Sequence, residues 1–210
     1  MRRKPDRGSY DFEVLARILD EAFLCQIGFV VDGQPYVIPT SYGRDDRTLY
    51  IHGSPASRML RYLRGGVPTC LTVTLVDGLV LARSVFHHSV NYRSVMVLGP
   101  ASPVEGDEKL HALRVITNHM VPGRWDDARA PTERELKATT VLRLDIEEAS
   151  AKVREGHPID EEEDRSLPYW AGVLPLALVP GGPVPEPGQP PTISTPAYVS
   201  GYKRGRLSHA

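Results

Sequence analysis

The sequence predicts a mainly β, α+β fold: an antiparallel β-barrel closed on itself, with helices at its periphery. Three observations carry that expectation. Short apolar segments rich in strand formers dominate residues 24–99. Asp32-Gly33 lies between two of them, and that dipeptide between alternating strands is the strongest short-range hairpin signal. Helical periodicity is confined to a few inserted segments, so the elements do not alternate as a doubly wound parallel sheet requires; neither a Gly-rich dinucleotide fingerprint nor a Walker loop is present.

In chain order, Phe12, Leu15, Leu19 and Phe23 recur at helical spacing behind the capping residues Ser9 and Asp11, predicting a helix over residues 11–22. Strands follow at 24–31, 35–42 and 48–52, with a polar loop at 43–47. Residues 68–76 and 79–86 read as a second hairpin about Asp77-Gly78, with Thr72 and Thr74 on one face and Leu71, Val73 and Leu75 on the other. Residues 93–98 form the next strand. Helical spacing returns at 107–119, where Leu110, Leu113, Ile116 and Met120 make the apolar stripe. A short helix at 132–137, a strand at 140–146 and an edge strand at 151–155 follow. The domain is expected to span residues 1–179. Residues 180–210 are rich in Pro and Gly, and are expected to form an extended tail with little helix or core of its own, lying on a partner subunit.

Composition sets the outer limits. A chain of 210 residues, 41% hydrophobic and 24% charged, buries one substantial core. Its net charge of −1 gives no field to draw nucleic acid. No apolar run approaches the roughly 20 residues that cross a bilayer, and the first residues lead into an amphipathic segment instead of a signal-peptide core, so a cytoplasmic protein is expected. Cys25 and Cys70 lie in apolar strand segments without metal spacing and read as buried thiols.

Residues 48–64 carry the functional signal. Strand formers run into Ser54, read as an N-cap, and Pro55, suited to a first helical turn; Gly65-Gly66 closes the helix. The free N–H groups of that turn and the positive end of the helix dipole favour an anion, to which Ser57 adds a hydroxyl and Arg58 a charge-assisted contact. The competing reading is a solvated face bearing Arg58, Arg61 and Arg64. A β-meander feeding a short, basic, capped helix favours the anion site, and a phosphorylated ligand is its natural guest.

Three ordered motifs then define a resemblance: Gly-Gln-Pro-Tyr-Val-Ile-Pro-Thr-Ser-Tyr (33–42), Leu-Tyr-Ile-His-Gly-Ser-Pro-Ala-Ser-Arg (49–58) and Asn-Tyr-Arg-Ser-Val-Met-Val-Leu-Gly (91–99). Over about residues 11–176 the chain resembles the FMN-binding split barrels related to pyridoxamine 5′-phosphate oxidase, particularly the branch containing the nitroimidazole-resistance proteins. The resemblance implies an antiparallel split β-barrel and a homodimer with two FMN sites at its interface. It implies that Val37, Ile38, Pro39, Thr40 and Ser41 lie along the isoalloxazine, that Ser57 and Arg58 hold the FMN phosphate, and that Ser94 touches the flavin edge. One departure stands out. The family often continues Ser-Arg-Lys, whereas Met59 follows Arg58 here; Arg61, one turn on, is positioned to replace the missing cation. Losing one charge-assisted contact of about 1.5–3 kcal/mol weakens FMN roughly ten- to a hundredfold. The apolar Tyr36-Val37-Ile38 stretch lacks the basic residues that hold vitamin B6 in the oxidase proper.

The resemblance implies a flavin-dependent oxidoreductase that takes hydride from NADH or NADPH and reduces small aromatic or nitro compounds. A flavin carrier or sensor without turnover, deazaflavin in place of FMN, and a haem-binding barrel with His87, His88 or His52 as axial ligand are the alternatives. His52 reads either as a flavin contact or as a hydrogen-bonded structural group. His87-His88, if on a strand, would point to opposite sides and chelate no single ion. Trp170 and Trp125 read as ring covers or as hydrophobic plugs, and the run Glu161 to Asp164 as a solvated acidic loop.

Overall fold

Asp32 and Gly33 both take positive φ, 50° and 79°, and make the tight two-residue turn between strand β2 (Leu24–Val31) and strand β3 (Gln34–Asp45). The computed structural model describes residues 7–203. Its other strands are β1 (Gly8–Ser9), β4 (Thr48–Gly53), β5 (Pro68–Leu81), β6 (Ser89–Pro100), β7 (Ser102–Pro103), β8 (Thr140–Asp145), β9 (Glu148–Arg154) and β10 (Gly172–Pro175). The helices are α1 (Phe12–Glu21), α2 (Arg58–Leu63), α3 (Gly106–Met120), α4 (Glu133–Lys137) and α5 (Ala197–Ser200).

The strands form one sheet in the order β1-β9-β6-β5-β2-β3-β4-β8-β7, with β10 added to β5; every pairing is antiparallel. The fold is the split barrel. Residues 34–41 of β3 pair with β2 and residues 42–45 pair with β4, so β3 belongs to both halves and the sheet divides along it. The alternate residues Ile27, Phe29, Leu49, Ile51, Leu71, Val73, Val95, Val97, Leu142 and Leu144 fill the interior, and Leu15 and Leu19 of α1 and Leu60 and Leu63 of α2 add to the same cluster. A second cluster, Tyr50, Val104, Ala112, Ile116 and Val141, seats α3 on the outside of β4 and β8. Gly43 permits that approach, since a Cβ there would stand 2.7 Å from the Ile116 backbone.

The structure corrects several expectations. Asp77-Gly78 is not a hairpin turn. β5 continues to Leu81 through a bulge at Val76/Gly78, and the chain returns by a 3₁₀ turn at Val85–His87. Asp77 is held out of a turn because its carboxylate binds Arg93 and its carbonyl accepts from the Leu176 N–H at 3.0 Å, while β10 packs on Gly78. In α3 the inward residues are Ala112 and Ile116, with Leu113 and Met120 partly covered, while Leu110 is 41% exposed. The strand expected at 151–155 starts at Glu148 and lies between β6 and the two-residue β1. Residues 204–210 of the expected tail lie outside the described residues; in the rest of it the four-residue α5 lies near the end of α3, where the Tyr198 hydroxyl donates to Asp127 at 2.6 Å and that of Tyr202 to the Met120 carbonyl at 2.9 Å. Cys25 and Cys70 are free thiols; burial pushes Cys25 up to about 12, whereas Cys70 is half-buried. No helix among the described residues is long and apolar enough to cross a membrane.

Candidate functional site

The division of β3 opens the site. Beyond Ser41 toward the N-terminus, the backbone edge of β3 that faces away from β2 has no strand partner, because β4 leaves the ladder at Tyr42↔Ile51. α2 stands beside this gap. It begins later than the sequence suggested: Ser57, not Ser54, is the N-cap, its hydroxyl oxygen 3.5 Å from the Leu60 N–H, while residues 54–57 form a turn closed by Ser57 N–H to the Ser54 carbonyl at 2.9 Å. Arg58 is therefore the first helical residue. It is exposed, its guanidinium 5.6 Å from the Tyr36 ring centroid and its Nη1 3.4 Å from the Tyr36 hydroxyl. Ser57, Arg58 and Tyr36 come together at the gap, and Arg61 lies exposed one turn on. Met59 is buried in the barrel core, so the residue after Arg58 does not share its exposed side.

The five β3 candidates divide by strand alternation. Ile38 packs toward the core and Thr40 lies on that side opposite Cys25, whereas Val37, Pro39 and Ser41 share the outer face. That face continues across β2, β5, β6 and β9. In register it carries Pro39, Gln26, Thr72, Met96 and Ser150 in one row, and Thr74, Ser94 and Lys152 in the next. Lys152 thus stands directly opposite Ser94, a neighbour that sequence reading missed because the pairing joins strands over fifty residues apart. Next to Thr74 a cleft of about 700 Å³ opens between Phe23, Leu24, Val76, Leu176 and Leu178, with Glu21 and Asp77 in its wall. Both carboxylates grip Arg93, Asp77 at 2.7–2.8 Å and Glu21 at 2.8 Å and closer, which ties the end of α1 to β5 and β6 and raises the basicity of the guanidinium. Arg93, within the Asn-Tyr-Arg-Ser motif, is a structural clamp beneath Ser94. Ser94 and the β3 residues lie three strands apart, about 14 Å, so one protomer does not bring them together.

His52 is the penultimate residue of β4, opposite Val141, on the face that packs toward α3. Its Nδ1 is enclosed without a partner, and burial lowers its basicity from the ordinary imidazole value. A hydrogen-bonded structural histidine is therefore not what the structure contains. His87 and His88 do not lie on a strand. His87 closes the 3₁₀ turn 3.6 Å from Glu161, and His88 Nδ1 is held by backbone, 3.1 Å from the Ser84 carbonyl and 3.4 Å from the Ala82 nitrogen. Trp170 is exposed and packs over Gly172, whose partner Leu81 lies seven β5 residues, about 20 Å, beyond Thr74. The protomer does not bring Trp170 to the other candidates. The acidic run is exposed except Asp164, and Asp160 just before it is buried against Arg83 at 2.9 Å.

An antiparallel split barrel with a Ser-Arg pair at the division of its sheet defines a class. Residues 11–153 match the pyridoxamine 5′-phosphate oxidase family, and the chain belongs to that family. It is similar along nearly its whole length to the flavocytochrome Anf3 of Azotobacter vinelandii, with 38% identity, 98% of this chain and 96% of that one covered, and a TM-score of 0.91. It is equally similar to an FAD- and haem-binding protein of Mycobacterium smegmatis, at 38% identity, 93% and 96% coverage and a TM-score of 0.90. A proposed 5-nitroimidazole antibiotic resistance protein of Bacteroides thetaiotaomicron is 26% identical over 70% of this chain and 86% of its own, with a TM-score of 0.58. Comparison with curated proteins gives no match.

Proposed function

We propose that this chain is a flavin- and haem-binding redox protein that works as a homodimer, with FAD as its flavin in preference to FMN. The observation that carries this reading is the 38% identity, over 93–98% of the chain, to a flavocytochrome and to an FAD- and haem-binding protein. Both likenesses extend into residues 154–203, beyond the family match. The flavin supplies hydride and single-electron chemistry and the haem single-electron chemistry, while the protein supplies binding, orientation and electrostatics.

The residues fit these groups. Ser57, Arg58 and Arg61 offer a hydroxyl and two cations to a phosphate beside the open backbone edge of β3, whose N–H and C=O groups suit the polar rim of a flavin ring. His52 brings an unsatisfied imidazole nitrogen to the strand that leads into this site. Ser94 and Lys152 offer a polar contact and a positive charge on the outer face, and such a charge near the ring favours its reduced, anionic form. For haem, His88 is the fitting ligand among the three histidines considered. With its Nδ1–H donated to the Ser84 carbonyl, the ring is oriented and Nε2 is left for iron, as orienting contacts to ligating histidines do. Val85 and Phe86 beside it are 86% and 85% exposed, apolar surface suited to a porphyrin edge.

The separation of Ser94 from the β3 residues and the exposed Val30, Val37, Val76 and Met96 on the outer face support the dimer reading. A flavin held at one protomer's α2 then meets Ser94 of its partner. The test is a pair of variants. Arg58→Ala is expected to weaken flavin roughly ten- to a hundredfold and keep haem, whereas His88→Ala is expected to lose haem and keep flavin. Retention of both cofactors by both variants overturns these assignments. A flavin reductase of small nitro compounds driven by reduced nicotinamide is the second reading, supported by the likeness to the resistance protein; turnover of a nitroimidazole by the purified protein with NADH or NADPH tests it.

A further inference from the structure

We propose that Arg154, with Arg7 and Lys152 beside it, forms a recognition site for an oxyanion, the phosphate or carboxylate of a molecule bound on the outer face of the sheet. Arg154 is only 6% exposed. Its Nη1 donates to the Asn91 amide oxygen, Asn91 in turn donates to the Gly156 carbonyl at 3.1 Å, and the Arg154 Nε is enclosed without a partner. No carboxylate pairs with it among the described residues; the charges acting on it are those of Arg7, which repels, and of Tyr92.

Three partly buried arginines differ from it. Arg44 pairs with Asp20, Arg83 with Asp160, and Arg93 with both Glu21 and Asp77. Among the described residues, Arg154 alone of these four has no acid. An unpaired buried charge is expensive, and proteins compensate it or lose it. Here the neighbourhood adds positive charge: β1, which Arg7 precedes by one residue, pairs Gly8 with Lys152. Arg154 opposes Tyr92, Lys152 opposes Ser94, and the two rows are successive on the outer face, roughly 7 Å apart along the strand. Arg154 and Lys152 thus present two cations from alternate positions of β9, spaced for one anionic group.

Thermal denaturation of the full chain against inorganic phosphate and acetate, at constant ionic strength with chloride as control, tests the site. The parent is expected to gain melting temperature saturably. Arg154→Met is expected to lose that response while melting no lower than the parent in chloride, because it removes an uncompensated charge. Arg7→Gln, at the sheet margin, is expected to shift the midpoint about tenfold to higher anion concentration. Repeating the titration with FAD saturating distinguishes the sources, and this arm alone rests on the proposed flavin reading. If FAD carries the anion, it abolishes the phosphate response and Arg154→Met weakens FAD; if the anion belongs to a free molecule, the response persists. The site is overturned if phosphate and acetate leave the parent unmoved and Arg154→Met binds FAD as the parent does, or if that variant responds to the anions as the parent does.

Discussion

His52 shows how one side chain links pH to stability. Burial lowers its folded proton affinity below the ordinary value of 6.5, so the unfolded chain takes up more protons as pH falls past that value. Its contribution to stability is full above pH 6.5 and is lost as pH falls through the lower, folded value. Urea denaturation of the parent and His52→Gln from pH 7.5 to 5 is expected to show the parent losing stability more steeply; parallel curves contradict this. At neutral pH the Gln variant should cost little, because no protein partner is left unpaired, yet it should shift the flavin spectrum if the imidazole meets the ring. Arg93 is the opposite case. Removing the guanidinium that ties Glu21 to Asp77 breaks the join of α1 to β5 and β6, so Arg93→Met should lower unfolding free energy by about 1.5–3 kcal/mol, measured by denaturation.

At the scale of elements, Gly43 and Asp77-Gly78 show what a sequence conveys and what it withholds. Asp32-Gly33 was legible because its turn depends only on its own backbone and two flanking strands. Asp77-Gly78 carries the same local signal, but β10, almost a hundred residues later, packs on Gly78 and Arg93 claims the Asp77 carboxylate, so tertiary contacts override the turn. The start of α2 was misplaced by three residues because Ser54 and Ser57 are both competent caps. The Ser57-Arg58 site was legible as a contiguous motif, whereas Lys152 and Arg154 take their places only through the β6–β9 register. Gly43 makes a testable case of close approach. Gly43→Ala drives a methyl into the α3 backbone and should destabilise the protein by about 3 kcal/mol, overpacking with backbone as the obstacle. A melting temperature within a degree of the parent's contradicts the packing of α3 on β3.

For the whole molecule, the barrel holds the two regions proposed for the flavin, the division of β3 and the outer face around Ser94, about 14 Å apart in one chain. In the proposed dimer a flavin shared across two protomers joins them, and mass action then makes assembly and cofactor occupancy depend on each other. Sedimentation is expected to show the dimer favoured as flavin is added; a monomer with full flavin occupancy contradicts that arrangement. The proposed redox role requires, before any of this, that the chain carry two redox groups. The absorption spectrum of the purified protein, followed by mass identification of the flavin released on denaturation, tests it most directly. Two flavin bands together with a Soret band, and FAD in the extract, are the result expected; a protein that lacks either set of bands after reconstitution with FAD and haemin contradicts it.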